Sequence, residues 1–265
     1  MLFRSVPVGR GSAEVTGVFQ IDRWIPRVFS LNVDTKLSEG VHIANNFGGV
    51  IVDGMGQGRV RIEGDQQRVV VSGNVHASNA VITLGDFKAA EEQRRAAGSV
   101  PLRVDLVFET GKAVEFYWPS PEFPILQTYA NRGEKLALQF DGDTEDFRLI
   151  GEISVRGGEI FYFDRRFFIR EGSIRFNERT GSFDPILNAR AEIRENTEDG
   201  LVRIYLVADN TRLSQFSPRF ESDGNLANDE IMEVLGRNIY GSGGDGSINF
   251  SKALAVTGDI LAQIG

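Results

Sequence analysis

Cysteine is absent from this 265-residue chain. Disulfide frameworks, thiolate nucleophiles and cysteine-ligated metal sites are therefore excluded. Histidine is nearly absent too, since His42 and His76 are the only two. Each occupies a polar position of an alternating segment, and no H-x-x-x-H pair is available to begin a zinc site. We expect both histidines to face solvent and predict no metal site.

Long hydrophobic runs are also missing. No segment approaches the roughly 18 consecutive apolar residues of a membrane-spanning helix, and the start of the chain lacks the apolar core of a signal peptide. We therefore expect this to be part of a longer chain whose export signal or anchor lies elsewhere. The formal charge of −8 argues against nucleic acid as a partner. No G-x-S-x-G nucleophile motif is present, and we predict neither enzymatic activity nor a cofactor.

Glycine is plentiful, with thirty residues against eight prolines. Five glycines each precede a short segment in which apolar and mostly polar residues alternate. These units are Gly58–Ile62, Gly73–Ala77, Gly151–Val155, Gly158–Tyr162 and Gly172–Phe176. A period of two is typical of a strand with one apolar face and one wet face. The recurrence predicts an all-β fold in which similar rungs build one long sheet.

Some segments interrupt the strand pattern. Glycine among polar residues is typical of turns, so Ser72–Asn74 is predicted to be a hairpin turn. Residues 86–98 are mostly polar and favour a solvated helix or insertion. Residues 228–236 are predicted to form a short helix with acids in its first turn, and residues 251–264 are predicted to form a second, amphipathic helix.

Two motifs that imitate ligand sites have simpler interpretations. Gly241–Gly246 matches a dinucleotide fingerprint in letters, but it lacks the preceding strand of a βαβ unit and the acid beyond it, so we interpret it as a linker. Asp141–Asp146 has the oxygen-rich composition of a cation loop, but it lacks the twelve-residue frame and the terminal bidentate glutamate. A hairpin turn is favoured there.

Longer motifs lie between residues 148 and 240. They comprise a G-x-I strand at 151–160, a strand ending in G-x-I-x-F at 167–176 and an N/D-P-x-L strand from Asp184. The stretches Ser217–Phe220 and Asp229–Gly236 resemble an S-x-P-x-L … E-I … L-L-x-G signature, with Phe220 at a usually aliphatic position. This set resembles the C-terminal domain of the TamB family. The residues that carry the resemblance are Gly158, Gly172, Pro185, Ser217, Pro218, Glu230, Ile231, Leu235 and Gly236.

TamB is the inner-membrane-anchored subunit of the translocation and assembly module and is similar to AsmA-like bridge proteins. The resemblance implies a curved, taco-like β-sheet with an apolar concave groove. It implies β-rungs over residues 1–147, with the polar insertion at 86–98, and a TamB-type domain with short terminal helices over 148–265. The implied location is the periplasm, within a longer protein that bridges the inner and outer membranes.

The resemblance also implies a function and partners. The function is phospholipid transport to the outer membrane, protein assembly into it, or both. The partners are phospholipid acyl chains and an outer-membrane β-barrel assembly protein of the TamA or BamA type. Two alternatives stay open: a structural β-solenoid or passenger, and a module that binds by β-augmentation without transferring lipid. Co-purified lipid would favour the groove.

The alternation predicts which side chains line the concave face. The predicted lining residues are Val60, Ile62, Val104, Leu106, Phe108, Leu136, Leu138, Phe140, Ile153, Val155, Ile174, Phe176, Val202, Ile204 and Leu206. Their neighbours of opposite parity, including Arg59, Arg61, Arg103, Asp105, Arg175 and Arg203, should face water. If the lining is an open groove, Phe176→Glu and Ile204→Glu should leave the protein folded, because the new carboxylate would reach water.

Overall fold

The fold is described here from a computed structural model. The residues that the structure describes are 6–8, 11–23, 25–35, 40–47, 50–84, 102–144, 146–180, 183–197 and 200–236. Within them are fifteen β-strands, a 3-10 turn at Leu213–Gln215 and one α-helix, α1, at Asn228–Gly236. The predicted all-β class is confirmed, with the strands joined in one large curved sheet.

The strands differ widely in length, from three residues to seventeen. In chain order they are β1 Val6–Val8, β2 Gly11–Asp22, β3 Ile25–Asp34, β4 Val41–Phe47, β5 Val50–Asp65, β6 Val69–Leu84, β7 Leu102–Thr110, β8 Val114–Trp118, β9 Leu126–Ala130, β10 Lys135–Asp141, β11 Asp146–Tyr162, β12 Arg165–Arg179, β13 Ile186–Thr197, β14 Gly200–Arg212 and β15 Arg219–Ser222.

Most neighbouring strands are antiparallel and consecutive in the chain. The sheet follows the order β1-β2-β3-β5-β6-β7-β10-β11-β12-β13-β14-β15. Three long strands each pair with two shorter strands along one side. Strand β5 pairs with β3 and then with β4, β6 pairs in parallel with β7 along one half and with β8 along the other, and β11 pairs with β10 and then with β9. Thus β3–β4, β7–β8 and β9–β10 act as three rungs that are each interrupted in the middle.

Glycines within the long strands produce bends rather than chain reversals. Gly58 in β5 has a φ of +151° and Gly73 in β6 a φ of +146°. A Cβ on Gly58 would collide with the carbonyl oxygen of Asn74, and one on Gly73 with that of Arg59. The predicted hairpin turn at Ser72–Asn74 is therefore wrong. The physical reason is that a positive φ serves a turn and a bent strand equally well.

The Asp141–Asp146 hairpin and the helix at 228–236 are confirmed. Strand β10 ends at Asp141 and β11 begins at Asp146, with an Asp143 N–H donating to the Asp141 carboxylate at 3.0 Å. At the start of α1 the carboxylate of Glu230 accepts the Ala227 N–H at 2.7 Å, which satisfies one free backbone donor. The predicted helices at 86–98 and 251–264 and the linker at Gly241–Gly246 lie outside the described residues.

No helix in the described part of the chain is both long and apolar enough to cross a membrane. The division into residues 1–147 and 148–265 stays a prediction.

Candidate apolar groove

The strand register places all fifteen predicted lining residues on one face of the sheet. Residues directly opposed in a ladder point to the same side, and Val60 lies opposite Gly73, Gly73 opposite Leu106, and Leu106 opposite Leu138. The other rows are Ile62–Val71–Val104–Phe140, Phe108–Leu136–Gly151–Phe176, Ile153–Ile174–Leu187 and Val155–Gly172–Ala189–Ala208. Val202, Ile204 and Leu206 share the parity of Ala208 in β14. We call this side the inner face.

The residues of opposite parity are exposed. The Arg59 side chain is 70% accessible and forms an ion pair with Asp34, and that of Arg61 is 56% accessible and pairs with Glu63. Arg103, Asp105, Arg175 and Arg203 are exposed as well. Within each strand the two sets therefore lie on different sides.

Burial along the inner face changes from one end of the sheet to the other. Ile153, Ile174, Ile204 and Leu206 are 0% exposed. Val60 and Ile62 are only partly buried. On β2, two strands beyond β5, the inner-face residues Phe19 and Ile21 are 43% and 59% exposed. The apolar face is thus closed at its C-terminal strands and open at its N-terminal strands.

The closed part arises because the sheet curves until its inner face meets itself. Phe116 on β8 and Phe176 on β12 are separated by β9 and β11 in the sheet, yet their ring centroids lie 6.3 Å apart. Both side chains are almost fully buried. Between the two sides is a small apolar cavity of about 50 Å³. Its lining includes Val52, Ile82 and Leu84 from one side and Phe108, Leu138 and Leu149 from the other.

An aromatic cluster fills the closed end. The ring of Phe216 lies 6.3 Å from that of Trp118 and 5.9 Å from that of Tyr162. The ring of Phe220 lies 5.8 Å from Tyr162 and 5.9 Å from Phe167. Edge-on and tilted contacts of this kind are the favourable arrangement for ring quadrupoles. Burial in this cluster raises the pKa of Tyr162. The alternation of Val114, Phe116 and Trp118 was the available signal for the β8 members, which the predicted lining missed.

Helix α1 packs onto the same core and is held by an ion pair. Ile231, Val234 and Leu235 are buried among the core residues. The Arg165 guanidinium lies 3.0 Å from the Glu195 carboxylate, and the two side chains are only 15% and 17% accessible. Its Nε donates to the Leu235 carbonyl oxygen at 3.4 Å, where the helix ends. A cation at a helix C-terminus is favoured by the helix dipole.

Glu178 is an acidic side chain on the inner face. It is 5% exposed and follows Leu149 in the row that begins at Val60. Its carboxylate accepts the backbone N–H groups of Asn177 and Asp184. Desolvation by burial raises the pKa of Glu178, and these hydrogen bonds oppose the rise only in part. The group therefore connects the end of β12 to the segment that leads into β13.

The glycines and the proline of the family motif have backbone roles. Gly158 has a φ of +139°, and a Cβ there would collide with Gln127 of β9. A Cβ on Gly172 would lie 2.7 Å from the Asn188 carbonyl oxygen of β13. Pro185 is buried, and its carbonyl oxygen accepts the Leu213 N–H at 3.0 Å.

The remaining motif residues belong to the C-terminal part of the core. Ser217 and Pro218 connect the 3-10 turn to β15. Glu230 satisfies the start of α1, Ile231 and Leu235 are two of its three buried residues, and Gly236 is its last residue. The signature residues therefore stabilise the start of α1 and pack the helix against the sheet.

Both histidines lie on the solvent-exposed outer face, as expected. The His42 and His76 side chains are 40% and 43% accessible, and a ring nitrogen of His42 lies 2.7 Å from the Asp53 carboxylate. In the portion of the chain that the structure covers, no group of three potential ligands is placed to hold a metal ion.

Comparison with known proteins identifies the domain. A comparison with curated proteins found no match. The family model of the TamB C-terminal domain matches residues 132–263, which include every motif residue discussed above. TamB proteins act with TamA in the translocation and assembly module, which serves outer-membrane biogenesis. Proteins of this family act as bridge and transport modules, and the TamB C-terminal domain of those proteins lies in the periplasm. Residues 132–263 of the chain are therefore identified as a TamB C-terminal domain.

Proposed function

We propose that the inner face is a periplasmic groove that shields phospholipid acyl chains on their way to the outer membrane. The same groove would serve nascent outer-membrane protein segments during assembly, with an outer-membrane β-barrel assembly protein of the TamA or BamA type as the partner. The fifteen lining residues supply its apolar surface. Residues 1–147 would provide the rungs and residues 148–265 the TamB-type end.

The observation that carries the proposal is the continuity of the inner face from closed to open strands. The row that begins at Val60 is apolar through Gly73, Leu106, Leu138 and Leu149, and its first acidic residue is Glu178 on β12. Toward β2 the same face reaches solvent, where Phe19 and Ile21 are about half exposed. Full burial of an aliphatic or aromatic side chain contributes about 1.5–3 kcal/mol. A bound acyl chain would recover this contribution without requiring any polar recognition.

The apolar chemistry of the open part of the face suits both lipid and unfolded protein as cargo. An apolar surface with few hydrogen-bonding groups discriminates weakly between hydrocarbon chains of different origin. We favour phospholipid acyl chains, because the open part of the face presents aliphatic and aromatic side chains such as Phe19, Ile21 and Ile62. Specific polar contacts would be needed to select a particular head group. The acidic side chain in the row of Val60, Glu178, is buried and accepts the backbone N–H groups of Asn177 and Asp184.

The zero exposure of Ile153, Ile174 and Ile204 favours the structural alternative for the C-terminal strands. Side chains without accessible surface form a packed core and cannot contact a cargo molecule. Under this alternative the C-terminal strands stabilise the rungs, and the cargo stays on the open part of the face. The C-terminal strands then have the structural role, and the open N-terminal strands hold the cargo.

Site-specific photo-crosslinking tests the proposal. A photoreactive amino acid at Ile62, on the partly buried inner face, should form lipid adducts in cells that produce the full gene product. The matched control is Arg61, the adjacent residue on the outer face. Mass spectrometry that finds lipid at position 62 and not at 61 supports the groove. Equal labelling at the two positions, or none at 62, would favour the closed solenoid.

A further inference from the structure

The hairpin of β2 and β3 exposes apolar side chains on both faces of the sheet. On the inner face Phe19 and Ile21 are about half exposed, and the Phe19 ring stacks on Phe29 with the centroids 6.0 Å apart. Val18 and Val28 each directly precede an inner-face phenylalanine, so they point to the outer side. They are 71% and 51% exposed there. A surface sheet ordinarily has one apolar and one polar face, so this hairpin exposes apolar surface where polar surface is expected.

The exposed residues lie at and just before the part of the hairpin that extends beyond its neighbours. Strand β5 pairs with β3 only as far as its last residue, Asp65, which lies opposite Val28. On the other side of the hairpin, β1 pairs with β2 only over Gly11–Ala13. Among the described strands, β2 and β3 then pair with each other alone, as far as Asp22 and Ile25. The end of the hairpin therefore projects beyond β5.

The charged side chains at and beside this end balance one another. Asp22 is paired with Arg27 at 2.8 Å, and on the adjoining β5–β6 hairpin Arg68 is paired with Asp143 at 2.7 Å. The Asp65 carboxylate accepts two backbone N–H groups of its own turn. Four arginines stand against four acidic residues in this region: Asp22, Arg23, Arg27, Arg61, Glu63, Asp65, Arg68 and Asp143. Charge therefore does not select a partner here, and recognition depends on the apolar side chains.

A partner must cover apolar side chains on two opposite faces of the hairpin at once. A neighbouring strand would cover only its edge, and a packed sheet or helix would cover only one face. A phospholipid bilayer surrounds an inserted segment on every side, and aromatic and aliphatic side chains are favoured at its interface. The stems of Arg23 and Arg27 are long enough to keep their guanidinium groups at the level of the phosphates. A bilayer is therefore the occupant that this arrangement fits best.

We propose that the end of the β2–β3 hairpin inserts into the interfacial layer of a phospholipid bilayer. The four residues that enter, which we call the hairpin tip, are Val18 and Val28 on the outer side and Phe19 and Ile21 on the inner side. Insertion is shallow, because the unpaired backbone groups along the edges of the hairpin need water or phosphate as partners. Phe19 and Ile21 also belong to the open part of the inner face, so the tip would place that end of the proposed groove against the bilayer. The insertion extends the proposed function but does not depend on lipid transfer.

Single-cysteine labelling tests both faces of the tip, because the chain has no cysteine of its own. Val18→Cys reports on the outer side and Ile21→Cys on the inner side. Leu201→Cys is the matched control, since Leu201 is 64% exposed and lies at the start of β14. Each variant of the 265-residue chain carries an environment-sensitive fluorophore. It is mixed with vesicles of phosphatidylethanolamine and phosphatidylglycerol whose acyl chains bear nitroxide quenchers. We expect quenching at positions 18 and 21 and none at 201.

Substitutions in the unlabelled chain measure the contribution of each face. Val18→Asp and Ile21→Asp should each weaken vesicle binding about tenfold, because a carboxylate would have to leave water with the tip. Val18→Leu and Leu201→Asp should change binding less than about twofold. Vesicles of phosphatidylcholine should bind within about threefold of the anionic ones, since the charges near the tip balance. Circular dichroism and thermal unfolding check that the variants fold.

The two proposals fail on different results. Quenching at position 21 alone would place lipid in the groove, which overturns insertion and leaves the proposed function standing. Absence of vesicle binding, equal quenching at all three positions, binding to anionic vesicles only, or dimers that associate through the tip instead of vesicle binding would each overturn the insertion of the hairpin.

Discussion

Arg165 at the start of β12 donates a hydrogen bond to the Leu235 carbonyl oxygen at the end of α1, 3.4 Å away. The same guanidinium is paired with Glu195. A residue of the sheet thus holds the helix through its last turn. The buried face of α1 and this single cation together close the aromatic end of the core.

Replacing Arg165 alone should lower the free energy of unfolding more than replacing both Arg165 and Glu195. Arg165→Met leaves the Glu195 carboxylate nearly buried without its partner, and we expect a loss of about 3 kcal/mol in the free energy of unfolding. Arg165→Met with Glu195→Leu should recover most of that loss, because no buried charge remains. Denaturant unfolding measures both. For comparison, Arg61→Met removes the exposed Arg61–Glu63 pair and should cost less than about 1 kcal/mol. Equal losses for the single and the double variant would contradict this interpretation.

Gly73→Ala should destabilise the sheet strongly. Its φ of +146° is unfavourable for an L-residue, and the new methyl group would meet the Arg59 carbonyl oxygen of β5. We expect a loss above about 2 kcal/mol, measured as a lower midpoint in thermal or denaturant unfolding. Gly236→Ala is the matched control, since nothing lies within 4 Å of its added Cβ. If both alanine variants unfold at the same midpoint, the bend at Gly73 is not a structural requirement.

A carboxylate introduced into the inner face should have opposite consequences at its two ends. Ile204→Glu places an unpaired charge where exposure is 0%, so we expect loss of cooperative folding. The expectation that Phe176→Glu and Ile204→Glu stay folded is therefore revised, because neither side chain has a route to water.

Ile62 tests the open end. Ile62→Glu should stay folded, because the side chain is only partly buried, and it should reduce bound lipid severalfold by interrupting the apolar surface. Circular dichroism and mass spectrometry of extracted lipid provide the two measurements. Arg61→Glu, one residue away on the outer face, should change neither. Unfolding of the Ile62 variant would show that the open end is also a packed core.

Glu178 should make the protein more stable as the pH falls from neutral. Burial raises its pKa in the folded state, so the folded protein binds this proton more readily than the unfolded chain. The free energy of unfolding therefore rises as the pH falls through the folded pKa, and the gain is complete below the unfolded pKa of about 4.3. Asp184 opposes the charge of Glu178 and Arg212 favours it.

Glu178→Gln should remove this pH dependence. The Asn177 and Asp184 N–H groups bind different oxygens of Glu178, and a glutamine carbonyl can accept only one of them. The variant therefore loses one hydrogen bond, but it has no carboxyl group to titrate at this position. Denaturant unfolding between pH 7 and pH 4.5 measures the free energy of unfolding of both proteins, and its rise toward the acid end should be smaller in the variant than in the parent. Glu171→Gln, on an exposed position of the same strand, is the control. An equal pH dependence in the parent and the Glu178 variant would contradict this assignment.

Local patterns in the sequence determined the type of each secondary-structure element and the face to which each of its side chains points. The alternation in Ile153–Val155 and Ile174–Phe176 assigns each side chain to one face, because successive residues of a strand point to opposite sides whatever the strand pairs with. Helix α1 was predictable for the same reason, since its acidic first turn, apolar stripe and terminal glycine lie within nine residues. The TamB motif was recognisable from residues close together in the chain.

Tertiary structure alone decided what the glycines and the apolar face do. Gly73 has the sequence context of a turn, but its conformation depends on pairing with β5, which brings Arg59 against it. Ile62 and Ile204 follow the same alternation, yet one is partly exposed and the other is sealed. The difference comes from the curvature that brings Phe116 onto Phe176, sixty residues away in the chain. The burial of a side chain depends on such distant contacts, whereas the side of the sheet to which it points depends only on the backbone of its own strand.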